Sequence, residues 1–360
     1  MKIRRSRKIG LFAAAMLPVI VLTSCAAADE GTTAADEGTT ASGECSDVNL
    51  RLSHQWPDAS GEDGDFRSLL AANFATDVEA ATDGQVKIEI FPNSSLSKAT
   101  EQYDAMVQGA IDMSVFPLDY ASGRVPEFSV TLMPALVRSH AQAQAWQTSP
   151  IGDEVVKIME ENGTKPLVWV WNAGGIGTKG DPVQTPSDVT PGMTMRAAGG
   201  YVEHMLTDAG AGITSLPSSE IYTAMQTGVL DAAVTSAGSF ASYNLQEQIA
   251  SYTSPTENTF WFMFEPLIIS TESFDKLCAD QQDALVEVGE NLQEFAYTAS
   301  EEDDARVDKL FTEAGVDVVQ MDDAAFAEWE ELAQQQWTDF AADVDGGNEL
   351  LELAKSVDVE

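Results

Sequence analysis

The chain has 360 residues, with 58 acidic side chains against 19 basic ones and a formal net charge of −39 at neutral pH. Acidity of that size, spread along the whole chain, excludes nucleic acid and anionic lipid surfaces as partners. Three histidines and three cysteines leave little material for a catalytic centre, and His-Glu-x-x-His, Cys-x-x-Cys and Gly-x-Ser-x-Gly are all absent. Neither a metal site nor a cofactor is predicted.

Lys2, Arg4, Arg5, Arg7 and Lys8 precede an apolar run from Ile9 to Leu22, the pattern of an export signal rather than of a mature membrane helix. Leu22-Thr23-Ser24-Cys25 resembles a bacterial lipobox, so residues 1–25 read as a lipoprotein signal peptide with Cys25 as the lipidated first residue of the mature chain. Residues 28–41 repeat Ala-Asp-Glu-Gly-Thr-Thr-Ala twice. They have no large apolar side chain to offset the entropy of ordering, and residues 26–46 are predicted to be a disordered acidic tether. The leader holds five of the 19 basic residues, so only fourteen remain to attract an anion. Any of them at a crevice gains weight. Cys45 and Cys278 are left as either a disulfide, which an extracytoplasmic location permits, or two buried thiols.

Beyond the tether, strand and helix patterns alternate. Asn49–His54 alternates apolar and polar, Asp65–Ala81 has helical spacing, and Val86–Phe91 alternates again, a β-α-β opening. A helix over Thr100–Gln108, a strand over Ile111–Val115, helices across His140–Glu161 and an apolar run Pro166–Trp171 follow. Mixed, largely parallel sheets with covering helices are expected. Met106–Val115 and Met225–Val234 share Met, Gly, Asp and Val in register: in each a helix ends on a left-handed glycine before a buried strand. Two related α/β lobes with a ligand crevice between them follow from that repeat. Ala279–Ala314 reads as one long helix of roughly 50 Å able to span both lobes, or as two helices kinked near Ser300, where four acidic residues interrupt the apolar stripe.

Arg196 ends a short predicted strand, Met193–Met195, just before Gly199-Gly200. Its planar fork of donors suits a carboxylate held in a crevice. Gln55, at the end of the first strand, and Asn93, in the turn after the second, are further polar candidates, and Tyr222 lies one turn from the arginine's expected crevice. Trp171 and Trp261 sit at strand ends, where an aromatic wall would suit an acid with a ring or an apolar chain.

From about Asn49 onward the chain resembles the dicarboxylate-binding (DctP-type) substrate-binding proteins of tripartite ATP-independent periplasmic (TRAP) transporters. The resemblance is carried by Ile90–Leu96, Gln108–Met113, Thr185–Asp188 leading to Gly192–Arg196, and Ser219–Asp231. It implies a two-lobed periplasmic-binding-protein-like fold with a long bracing helix, closing on an organic acid and delivering it to membrane subunits of a TRAP transporter, with Arg196 gripping the carboxylate. The chain departs from the family twice. Ala232-Ala233-Val234-Thr235-Ser236 stands where family members commonly continue Gly-x-Glu-Asn, leaving Thr235 or Ser236 as substitute contacts, and Lys179 is the only cation near a position where the family often has another arginine. These departures point to an acid less charged or bulkier than a small dicarboxylate: a monocarboxylate, or a carboxylate with an apolar or aromatic part.

The resulting expectation is a non-enzymatic, extracytoplasmic, membrane-anchored binding protein, monomeric, with lobe I formed by residues 47–174 and 262–300 and lobe II by 175–261 and 301–360. Two alternatives stay open: a solute-binding lipoprotein of an ATP-driven (ABC) importer, and a secreted lipoprotein hydrolase.

Overall fold

A computed structural model of the protein describes residues 45–59, 64–357 and 359. Cys25 and the repeats of the tether lie outside the described residues. The first strand, β1 (Val48–Ser53), buries Leu50 and Leu52, as its alternation requires. Helix α1 (Phe66–Ala81) starts at Asp65, whose carboxylate accepts from the Arg67 N–H. β2 (Val86–Phe91) pairs parallel with β1 along its whole length. After α2 (Gln102–Val107), Gly109 turns the chain at φ 72° into β3 (Met113–Val115), which lies parallel to β1 on its other side.

Helices α3 (His140–Trp146) and α4 (Pro150–Glu161) lead to β4 (Thr164–Val168), the last strand of this half. The apolar run Pro166–Trp171, expected as one strand, is two. Trp169 and Val170 carry the chain out of the first sheet, and β5 (Trp171–Thr178) begins the second. Hydrophobicity marks both stretches as buried but cannot mark where the backbone changes partners.

The second half holds β6 (Thr194–Arg196), α5 (Gly200–Asp208), β7 (Gly212–Ile213), α6 (Ile221–Gln226), β8 (Ala232–Ser236), α7 (Ala237–Ser242), β9 (Ser251–Ser254) and β10 (Phe262–Phe264). Here α6 ends at Gly228, at φ 78°, before β8, the same device as Gly109 before β3. The chain then returns: β11 (Leu267–Ser270) inserts antiparallel between β3 and β4, giving a first sheet ordered β2-β1-β3-β11-β4. Helix α8 (Thr271–Asp275) precedes the long α9 (Ala279–Glu313), and β12 (Asp317–Gln320) completes the second sheet, β12-β9-β5-β8-β6-β7, with β10 paired to the start of β5. Both sheets are more mixed than expected, because β5 and β11 run antiparallel to their neighbours. Helices α10 (Asp323–Asp343) and α11 (Gly347–Lys355) end the fold, α11 against α4.

Helix α9 runs unbroken through Ser300. Leu285 and Val288 enter the core under the first sheet, and Val307 and Phe311 enter the core beside the second. The acidic stretch does not kink it because Asp303 and Asp304 are buried with partners: Asp303 bonds Arg306, and the Asp304 carboxylate meets His140 Nε2 at 2.8 Å. Cys278 caps the helix and is disulfide-bonded to Cys45 at the foot of β1, with Cα atoms 5.7 Å apart.

Candidate functional site

Residues just past β1 and β3 bond to residues at or just past the ends of β6 and β8, Trp56 to Ser239 and Tyr120 to Arg196, so the two sheets meet where open α/β folds bind ligands. Arg196, the last residue of β6, lies there and is only 1% exposed. Its Nε donates to the Leu216 carbonyl at 2.9 Å, Nη1 to the Val234 carbonyl at 2.8 Å, and Nη2 to the Tyr120 hydroxyl at 3.0 Å. All three acceptors are neutral. Among the described residues no carboxylate comes within ion-pair distance of it, whereas the other fully buried arginine, Arg67, has two. The only buried carboxylate among the described residues shown to feel its charge is Glu265, which acts beyond contact distance, and a buried cation without a directly paired anion is costly unless a ligand anion completes it.

Arg67 is already neutralised. It forms two hydrogen bonds to Asp65 (2.9 and 2.7 Å), one to Glu265 (2.6 Å) and one to Ser236 (3.0 Å), and its guanidinium stacks 4.1 Å from the centre of the Trp56 ring. Burial pushes the Asp65 carboxyl up, but the charge and hydrogen bonds of Arg67 outweigh it and hold the group low. Burial dominates at Glu265, which is raised despite Arg67 and despite an amide N–H from Asn172 at 2.5 Å. Ser236, a predicted contact, is committed to this cluster as an acceptor from Arg67 and a donor to Ser239.

Gln55 and His54 follow β1 and are 2% and 1% exposed. Gln55 Nε2 and Oε1 and His54 Nδ1 have no hydrogen-bond partner among the described residues. Burial lowers the His54 imidazole to about 4, so it is neutral at physiological pH. Gln55 is linked to Arg196 by a short chain: the Tyr243 hydroxyl donates to its carbonyl at 3.0 Å, Tyr243 lies against Ser218, and the Ser218 N–H donates to Tyr120 at 3.1 Å. A cavity of about 310 Å³ adjoins this group, lined by Thr100 and Tyr120 from the first half and by Ala197, Ala198 and Leu216 from the second. A larger cavity of about 470 Å³ opens elsewhere, between Ser242 and Arg306.

Most other predicted contacts fall outside this group, although the Trp261 indole N–H donates to the carbonyl of Ala198, beside the cavity, at 3.4 Å. Trp171 belongs to the first core, between Trp146 and Phe264 with ring centres 5.2 and 5.0 Å away. Trp261 lies over Gly174, where any Cβ would stand 2.2 Å from the indole, and packs in the second core. The expected aromatic wall is therefore core packing, the commoner fate of a tryptophan in a strand. The Tyr222 hydroxyl donates to Glu247 on an exposed face, and Lys179 Nζ donates to the Met225 carbonyl, capping α6. Asn93 is exposed at φ 56°, a turn former whose backbone N–H donates to the Trp56 carbonyl. Thr235 is buried in β8 opposite Gly175. Tyr120, Ser218 and Tyr243 were not foreseen, because no local pattern distinguishes them. Only the meeting of the two halves brings them to Arg196.

The model of bacterial extracellular solute-binding protein family 7 (DctP) matches residues 58–343. A solute-binding protein of Albidiferax ferrireducens is 43% identical over 307 residues, which is 85% of this chain and 90% of that protein. The 2,3-diketo-L-gulonate-binding periplasmic protein of Escherichia coli is 27% identical over 305 residues, 81% of this chain and 88% of that one. Among solved structures, a TRAP periplasmic solute-binding protein from Rhodoferax ferrireducens with bound malonate superposes with a TM-score of 0.83 at 43% identity, covering 86% of this chain and 98% of that chain. With most of its length matched by the family model, the chain belongs to the family 7 (DctP) extracellular solute-binding proteins of TRAP transport.

Proposed function

We propose that the protein captures a short organic acid of the size of malonate between its two lobes, holds one carboxylate on Arg196, and delivers the acid to the membrane subunits of a TRAP transporter without chemically altering it. The observation that carries this reading is the buried guanidinium of Arg196, bonded to neutral acceptors alone among the described residues. The size of the acid is taken from the malonate-bound relative and from the position of Trp171 and Trp261 in the cores, which removes the reason to favour a ring or a long apolar chain. In this reading the lobes divide between Val168 and Trp171, α11 goes with the first lobe on which it packs, and the protein works as a monomer tethered to the outer face of the membrane through Cys25.

A thermal-shift panel of carboxylates, followed by calorimetry on malonate, tests it. Arg196→Ala is expected to weaken malonate binding by about 2–5 kcal/mol, because the ligand carboxylate would be buried without its partner. Unchanged affinity in that variant would sink the organic-acid reading. Turnover of the bound acid, in place of stoichiometric binding, would overturn the reading as a binding protein.

A further inference from the structure

Tyr120 sits in the 3₁₀ turn Leu118–Ala121, which follows β3 of the first sheet. Its ring stands edge-on to Phe116, with centres 6.2 Å apart, and packs against the cores of both halves. Its oxygen is the meeting point of two donors from the second half, Arg196 Nη2 at 3.0 Å and the Ser218 backbone N–H at 3.1 Å. Neither group can accept, so the phenol oxygen accepts both and its two lone pairs are filled. The hydroxyl proton is left as a donor with no protein acceptor among the described residues. Arg196 is in the same position: three of its five N–H groups are committed, and two are free.

The uncommitted polar groups of Arg196 and Tyr120 are therefore all donors, one from Tyr120 and two from Arg196. A group with several lone pairs and negative charge satisfies them together, and a carboxylate is such a group. We propose that Tyr120 is a ligand-binding residue that donates its phenolic proton to the same carboxylate that Arg196 holds, so that the acid is shared between the two lobes. The inference rests on the organic-acid reading above and adds the opposite wall of the site. Because Arg196 comes from one half and Tyr120 from the other, both donors reach one carboxylate only when the halves are together. Binding and closure are then coupled through a single functional group of the ligand.

The test measures malonate affinity by calorimetry in four proteins: wild type, Arg196→Ala, Tyr120→Phe, and a protein carrying 3-fluorotyrosine at position 120. Circular dichroism establishes that each is folded. Tyr120→Phe is expected to weaken malonate binding about tenfold or more, the usual scale for a lost hydrogen bond to a charged group. Fluorination makes the phenol a stronger donor and a poorer acceptor, so, at mildly acidic pH where it stays protonated, the 3-fluorotyrosine protein is expected to bind malonate more tightly than wild type. A residue that merely supports Arg196 as an acceptor predicts the opposite sign. Wild-type affinity in Tyr120→Phe, or weaker binding in the fluorinated protein, overturns the inference and leaves the parent reading intact. A wild type that ignores malonate, or an Arg196→Ala protein that binds it normally, overturns the parent reading itself.

Discussion

Asp119, next to Tyr120 in the same turn, is 5% exposed. Burial, with the nearby charge of Glu203, pushes its carboxyl from 3.8 up to about 7. The folded-state value lies above the unfolded one, so the folded chain binds this proton more tightly. The contribution to stability is full below pH 3.8 and is lost as pH rises through about 7. Asp119→Asn removes the buried ion and is expected to stabilise the protein by roughly 1–3 kcal/mol at pH 8, with the gain shrinking as pH falls below about 7 and gone below 3.8. Denaturant unfolding at the two ends of that range checks it, and an equal effect at the two would show that ionisation is not the cause. At this scale Arg196 was legible in the sequence, since a lone cation at a strand end in so acidic a chain needs an anion. Lys179 and Tyr222 were weaker candidates, placed near the same crevice by sequence position alone. They differ from Arg196 in which way their strand and helix turn them, and that is decided by packing.

Among the elements, α9 was the most legible. Its apolar spacing and the stop at Gly315 located it to within a residue of the observed Ala279–Glu313. What the pattern concealed was the purpose of the acidic residues at its centre. Taken as a weakness in the stripe, Asp304 is a buried contact to His140 in α3, and the neighbouring Ser300 hydroxyl donates to the Trp171 carbonyl in β5. The helix is also pinned at its start, where Cys278 closes a loop of 233 residues back to Cys45. Removing that cross-link, with both cysteines changed to serine, is expected to lower stability by about 2–4 kcal/mol while leaving malonate affinity close to wild type, because the bond lies far from the Arg196 group along β1. Thermal unfolding and calorimetry on the double variant measure the two. A large loss of affinity would mean that the foot of β1 and the site at its far end are coupled. The short strands β6, β7 and β10 were less legible, being too brief for any periodicity to rise above chance.

The whole molecule was legible as two related lobes because the helix-glycine-strand device occurs twice, once before β3 and once before β8. The crossing points were not: Trp169–Val170 looks like any other buried stretch, and Glu265-Pro266 marks a turn without saying that the chain changes sheets there. Hydrogen bonds such as Tyr243 to Gln55 and Arg196 to Tyr120 join the two halves, and a ligand gripped by both would favour the arrangement that makes them. Saturating malonate is therefore expected to shift the population toward a smaller radius of gyration in small-angle scattering, and curves that superpose with and without ligand would count against closure.

The insertion of β11 between β3 and β4 also bears on how the molecule is made. The first sheet lacks an interior strand until residues 267–270 exist, and the second lacks its edge strand until residues 317–320 exist. Neither half can finish folding while the chain is still emerging, so nearly the whole polypeptide must be delivered before a stable structure forms. The long-range pairings that result make folding slow. For a chain that crosses a membrane before it functions, that delay is an advantage: it stays threadable for as long as it is in transit.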